Sequence, residues 1–424
     1  MIKIPIQITN RKSIMIKPDT ELTLRNGTRI RILSILGRGG EGVALLAENR
    51  RNGQRGVYKV ILDNSSDRRT RTQFLVKKRL VDVSPLFCAP IDYCDNGHLG
   101  HFSPFAPGML LEQYLENPGN SYFEIYKLAI ALCQGYTLLN GERMTQGDPS
   151  LRNAMIFLSD AGAILFLIDF DNFRAPNVPL PTAFGQEDRM APELRKAYQN
   201  AQLAHPDERS DWYALTTIIH EMILAKSVAS GFDNTTRDFN RAMSGGWPHD
   251  PLLGKAPDIV GGYPAEILNA ELAAMFRSGL SANPDGRLSA SKMTEILSRN
   301  FSMIWVDPRC HGPSFIDPSK THCPHCKKPF PTFQFVFPRL RKTIVCDSVP
   351  IRIGRGDLNS PYVSELHGII RKCGQETRLQ SLGKNGTYRW NGTAWQSLNE
   401  EAILQAGDRL RFADIECLVE EINN

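Results

Sequence analysis

Four polar features, met in a fixed order, constrain this chain more than anything else in it. Gly37, Gly39 and Gly42 spell G-x-G-x-x-G between two strand-like runs and are followed directly by Val43. Lys59 sits in the next apolar strand, VYKVI. A helix-patterned stretch then leads into TQGDPSLRNAMIF, which carries Asp148 and Asn153, and the hairpin after it ends on Asp169. Glycines expose backbone N–H donors and let a chain approach phosphate oxygens closely. A dinucleotide-binding turn requires a helix straight after the third glycine, whereas VALLAENRRNGQRGVYKVIL reads as strand, turn, strand. Phosphoryl transfer needs a nucleophile held in line, a metal on the phosphate oxygens and neutralised charge. Asp148 suits a residue that orients and deprotonates a hydroxyl. Asn153 and Asp169 offer hard oxygen ligands to Mg²⁺. Lys59, Gly37, Gly39, Gly42 and Val43 are the candidates for holding the triphosphate of ATP. Each feature alone is an ordinary turn, cap or solvated lysine; the order gives them meaning.

Periodicity supplies the setting. ELTLRNGTRIRIL alternates around Asn26-Gly27, a strong hairpin signal. RTRTQFLVKKRL reads as a helix in which Gln73 is the only candidate partner for Lys59, because no Glu lies between Lys59 and Glu112. SYFEIYKLAIALCQGYTLLN reads as a helix with Ser121 and Glu124 as a capping box and Ile125, Leu128, Leu132, Tyr136 and Leu139 on its core face. AMIFLSDAGAILFLIDFDNF is two strands joined at Ser159–Gly162.

With these residues in place, the stretch from about 20 to 300 resembles a eukaryotic-like bacterial Ser/Thr protein kinase. The resemblance implies an α+β bilobal fold over residues 1–301, with an N-lobe of about 1–106 and a C-lobe of about 107–301. Ala191-Pro192-Glu193 matches the A-P-E that ends the family's activation segment, SDWYALTTIIHEMIL its long buried helix, and Arg287 the arginine that pairs with that Glu. Several positions depart from the pattern. The H-R-D triplet is Gln146-Gly147-Asp148, and the lysine expected after the aspartate is Ser150, with Arg152 as the nearest substitute. D-F-G is Asp169-Phe170-Asp171, and between residues 169 and 193 the one hydroxyl-bearing residue is Thr182. The expected activity is ATP·Mg²⁺-dependent phosphorylation of protein Ser/Thr, slow or conditional; the alternative is a pseudokinase scaffold that binds nucleotide as a switch.

After residue 300 the texture changes. Residues 310–326 hold three Cys and three His. Cys323 and Cys326 form a C-x-x-C knuckle, and Cys310 with His311 supplies the other pair of a structural zinc site over residues 302–333. His322 and His325 compete with His311, and a redox C-x-x-C is the second reading. A segment this small has little core, so zinc would supply its folding energy.

From about 334 to 424 short strands recur, as in an antiparallel sandwich. Gly354-Arg355, Ser364–His367 and Asn385-Gly386-Thr387 resemble the G-R, S-x-x-H and N-G-T motifs of the forkhead-associated (FHA) domain, which binds phosphothreonine peptides. The resemblance implies phosphate binding by Arg355 and Ser364, ligand-backbone contact by Asn385 and a structural role for His367. Glu365 opposes a nearby phosphate, and Lys384 compensates.

The whole is expected to be multidomain: kinase, zinc module and all-β FHA sandwich in series. That order resembles the kinase of the tellurite-resistance-associated phosphorylation triad. It implies a protein substrate, a phosphothreonine-containing partner, a von Willebrand A-type protein and a metal-dependent Ser/Thr phosphatase. A net charge of +5 is too mild to argue for nucleic acid. AILFLI is far too short to span a bilayer, MIKIPIQITNRKS lacks the apolar core of an export signal, and nine scattered Cys suit a reducing cytoplasm.

Overall fold

The computed structural model describes residues 16–160, 162–181, 189–230, 246–253, 261–307, 310–315, 320, 322–327, 332–346, 350–373, 376–398 and 401–422. Thr182 lies outside them. The chain divides into two compact units. One holds the chain up to Met222 with Ser227–Pro248 and Arg277–Thr294; the other holds Ile223–Lys226, His249–Phe276 and Glu295 onward.

The first unit opens with β1 (Glu21–Thr23), β2 (Arg29–Arg38), β3 (Gly42–Asn49), β4 (Arg55–Ile61), β5 (Asp92–Cys94) and β6 (Leu99–Pro104). They form a six-stranded sheet in the order β1-β2-β3-β4-β6-β5, antiparallel throughout. Gly27 turns the first hairpin at φ 88°, as the Asn-Gly pair predicts. Ile30, Ile32, Val43, Leu45, Tyr58, Val60 and Phe102 form its core.

Helix α1 (Ser66–Lys78) follows β4; the Ser65 side chain caps it by accepting from the Arg68 N–H, Asp67 lies in its first turn and Lys77 and Lys78 in its last. These charges complement the helix dipole.

The helix expected after residue 120 is α2 (Tyr122–Gly141). The capping box does not form. Ser121 makes no side-chain cap bond, because Glu124 turns instead to Lys127 at 2.8 Å and to the Ala163 N–H at 3.3 Å. The core face also differs in part: Tyr126 and Cys133 are fully buried along with Leu128, Leu132, Tyr136 and Leu139, whereas Ile125 is half-buried. β7 (Met109–Leu110), β8 (Ala154–Ser159) and β9 (Gly162–Leu167) make a small sheet, with β8 and β9 as the predicted hairpin. Helices α3 (Pro192–Gln199) and α4 (Glu208–Leu224) come later in the chain.

In the second unit, β10 (Ile304–Val306) pairs with β11 (Pro313–Phe315) beside the cysteine segment. Two sheets follow. β12 (Thr332–Phe337), β13 (Lys342–Cys346), β17 (Thr387–Trp390), β18 (Trp395–Ser397), β20 (Arg409–Phe412) and β21 (Ile415–Ile422) make one, ordered β13-β12-β21-β20-β17-β18. β14 (Ile351–Ile353), β15 (Gly368–Cys373), β16 (Glu376–Ser381) and β19 (Glu401–Leu404) make the other, in that order. Phe335, Phe337, Ile353, Ile370, Leu379, Leu410, Phe412 and Val419 fill the core from strands of both sheets, the interior of a sandwich.

Candidate functional sites

A cleft of about 790 Å³ in the first unit is lined by Gly37, Gly39, Gly42, Lys59, Asp148 and Asp169, with Val57, Met155 and Ile168 among its apolar walls. The N–H of Gly39 bonds the Gly42 carbonyl at 2.9 Å and closes the glycine hairpin. Only Gly42 is sterically demanded: a Cβ there would stand 2.3 Å from the Val60 carbonyl oxygen, while Gly37 and Gly39 face open space. Val43, expected at the cofactor, lies in the sheet core instead, 1% exposed. Strand side chains alternate, and Gly42 and Ala44 take the cleft side.

Lys59 spans two carboxylates, with Nζ 2.9 Å from Asp169 and 2.7 Å from Asp171. Burial pulls the ammonium down, but Asp171 and then Asp169 outweigh it and hold it above its ordinary value. Burial likewise opposes the charge on Asp171, yet Lys59 and His101 keep its carboxyl well below the usual range. Gln73, the expected partner, is exposed. The inward face of α1 presents Arg68 and Arg71 in its place. Arg68 donates to the Asp171 carbonyl at 3.0 Å and to Glu41 in the glycine hairpin at 2.6 Å. Arg71 donates to the carbonyls of Asp171, Phe173 and Pro179 at 2.6–2.7 Å and stacks over the Phe173 ring.

Asp148 sits at the cleft wall, half-buried. Asn153 is not among the lining residues; its amide donates to the Asp148 carbonyl at 2.8 Å and so braces the loop. Its Oδ1 remains the oxygen available to a metal. Asp169 adopts φ 56°, a left-handed conformation that Asp tolerates better than most residues, and its side chain is 40% exposed.

Glycine at position 147 has a structural reason. Gly147 has φ 82°, and a Cβ would lie 2.3 Å from the Asn172 carbonyl oxygen. Asp211 accepts from the N–H groups of Gln146 at 2.7 Å and Gly147 at 3.1 Å. Burial pushes the Asp211 carboxyl up to about 8, against the pull of those two donors. Arg152 pairs with Glu112 at 2.9 Å, and Ser150 caps the turn before it. Glu193 and Arg287 form a bidentate pair at 2.7 and 2.8 Å, with the Arg287 side chain fully buried.

In the second unit Asp307, Cys310, Cys323 and Cys326 each bring one ligand atom to within 4.8 Å of the others. Three sulfurs and a carboxylate oxygen match zinc chemistry, so this cluster can hold a metal ion and is compatible with structural zinc. The fourth member is Asp307, not His311. The His311 N–H donates to the Asp307 carbonyl at 2.7 Å. His325 is also absent from it, its Nε2 bonding the Pro313 carbonyl at 2.8 Å in the space that Gly312 leaves.

Two loops of the sandwich meet, the β14–β15 connection (354–367) and the β16–β17 connection (382–386). Arg355, exposed, donates its Nε–H to the Val363 carbonyl at 2.9 Å; its terminal nitrogens have no partner among the described residues. Ser364 Oγ accepts from the Lys384 N–H at 3.1 Å, and Asn385 donates to the Tyr362 carbonyl at 2.7 Å. His367 is fully buried, accepts from the Ser364 N–H at 3.1 Å and reaches the Gly386 carbonyl at 2.9 Å. It pins the loops together, the structural role expected of it. Glu365 and Lys384 are both exposed.

The family model for the FHA domain matches residues 351–413, which span both loops. No protein-kinase family model matches the chain, and no curated protein matches it. The chain therefore carries an FHA domain, which supports phosphothreonine-mediated protein binding. Among the described residues no helix is long and apolar enough to cross a membrane.

Proposed function

We propose that the first unit is a protein-kinase-like phosphotransferase acting on Ser or Thr of proteins, and that Arg355, Ser364, Lys384 and Asn385 of the FHA domain capture phosphothreonine. On this reading the kinase domain, zinc module and sandwich occupy 1–301, 302–333 and 334–424. The observation that carries it is the convergence of Gly37, Gly39, Gly42, Lys59, Asp148 and Asp169 on one cleft. Residues separated by more than a hundred positions in the chain meet there, and they are a base, a hard-oxygen ligand, a cation and a backbone-donor hairpin. Asp169 and Asn153 would hold Mg²⁺ of a bound ATP, and Lys59 and the hairpin its phosphates. A bound nucleotide would supply the transferable phosphoryl group and the metal would neutralise charge on its oxygens; Asp148 would accept the hydroxyl proton of the substrate.

The test is transfer of radiolabelled γ-phosphate to protein, compared with Asp148→Asn. Loss of a positioned base costs about 10²–10⁴-fold; equal incorporation by both proteins rejects the reading. For the sandwich, phosphothreonine peptides should bind wild type and fail with Arg355→Ala, and equal affinity for unphosphorylated peptides rejects recognition. A second reading, a nucleotide-binding scaffold without transfer, draws on Lys59 being saturated by two carboxylates. It predicts Mg·ATP-dependent thermal stabilisation with no γ-phosphate consumed.

A further inference from the structure

We propose that Asp171 is the positioning residue of Lys59, a role that α1, whose single acid Asp67 stands in its first turn, does not fill, and that His101 fixes Asp171 in turn. This rests on the nucleotide-binding reading of the cleft. Lys59 and His101 stand directly opposite each other in the β4–β6 ladder, so both side chains leave the sheet on the same face. Asp171 closes the triangle, with one carboxylate oxygen 2.7 Å from Lys59 Nζ and the other 3.0 Å from His101 Nε2.

Burial separates the two acids on Lys59 into different roles. The Asp171 side chain is 5% exposed and its oxygens are spoken for within the fold, whereas that of Asp169 is 40% exposed at the cleft. Asp169 can turn to a metal without stripping Lys59 of its counter-charge, because Asp171 stays. The backbone at Asp171 is fixed as well: its carbonyl accepts from both Arg68 and Arg71. In this arrangement α1 contributes no charge to Lys59 directly. It holds the segment that does, and through Arg68 it ties that segment to Glu41 in the glycine hairpin.

The experiment measures Mg·ATP affinity, by calorimetry with a non-hydrolysable analogue, for wild type, Asp171→Asn, Lys59→Met and the double variant. A purely structural role would add its cost to that of Lys59→Met. A role exerted through Lys59 makes the second substitution nearly silent once Lys59 is gone. We expect D171N to weaken binding about tenfold or more, D171N in the K59M background to change it less than about twofold, and Asp171→Glu to recover part of the loss. Binding by D171N equal to wild type, or multiplicative loss in the double variant, overturns the proposal while leaving the nucleotide-site reading intact. No uptake by wild type overturns that reading and the proposal together. If D171N does not fold, the D171E and K59M/D171E pair gives the same cycle: an effect of D171E that persists undiminished in K59M overturns the proposal.

Discussion

At the scale of single residues, the departures from a kinase-like pattern have physical causes. Position 147 takes no side chain: at φ 82°, with the Asn172 carbonyl where a Cβ would go, Gly147→Ala should cost at least ~2 kcal/mol. A urea midpoint unchanged by G147A would count against this account. The neighbouring Asp211 gives a prediction with a definite sign. Burial holds its carboxyl in the folded protein at about 8, above the 3.8 usual for aspartate. The folded protein therefore keeps a proton that the unfolded chain has lost between these values, and stability must fall as pH rises across that window. In Asp211→Asn this slope is absent. Urea midpoints of the two proteins should converge toward pH 4 and separate toward pH 8, with the wild type losing ground; parallel profiles would contradict the assignment.

The elements show how far the sequence could be read. The hairpin at Asn26-Gly27, the apolar strand around Lys59 and the apolar repeat of residues 122–141 are legible because each is local: turn chemistry and periodicity act over a few residues. The Ser121–Glu124 box failed because a competing donor, the Ala163 N–H, arrives from a strand distant in sequence. Tyr126, rather than Ile125, took the buried position for a related reason, since helical spacing gives a face but the packed partner sets its centre. Asp171 carries no local signal as the Lys59 partner, because it lies more than a hundred residues further along the chain and only the fold brings the two together. Asp307 carries none either: a lone aspartate upstream of Cys310 does not signal a ligand.

Helix α1 itself carries the prediction at this scale. Arg71 is 3% exposed and feeds three carbonyls of residues 171–179. Burial, with Arg68 alongside, lowers it to about 10, so it stays charged at neutral pH. Arg71→Met removes those donors; the Asp171 carbonyl keeps Arg68, while those of Phe173 and Pro179 lose theirs, at ~1–3 kcal/mol for a buried group left unsatisfied. Amide exchange in residues 169–181 should accelerate at least tenfold, with the β1–β4 strands unaffected. Unchanged protection there would show that α1 does not hold the segment.

Across the whole molecule, stability rests on separate cores. The N-terminal sheet closes on Ile30, Leu45, Tyr58 and their neighbours, and the sandwich on Phe335, Phe412 and theirs. Around the cysteines the described residues form a smaller cluster: Trp305 and Cys323 are buried, with Cys310 and Cys326 against them. A cluster of this size, at roughly 1.5–3 kcal/mol per buried side chain, contributes less than a structural zinc would, on the order of 10 kcal/mol. Metal binding here would therefore be local folding. Cys323→Ser should lower zinc to below half an equivalent by atomic absorption and bring Trp305, 3% exposed in the fold, into water, seen as a red shift of its emission. Because the sandwich and the N-terminal sheet each close on their own side chains, phosphothreonine-peptide affinity and Mg·ATP affinity should both survive C323S within about twofold. Loss of either affinity alongside the zinc would mean that the metal organises more of the chain than its own loop, and zinc retained in full would mean that Cys323 is no ligand.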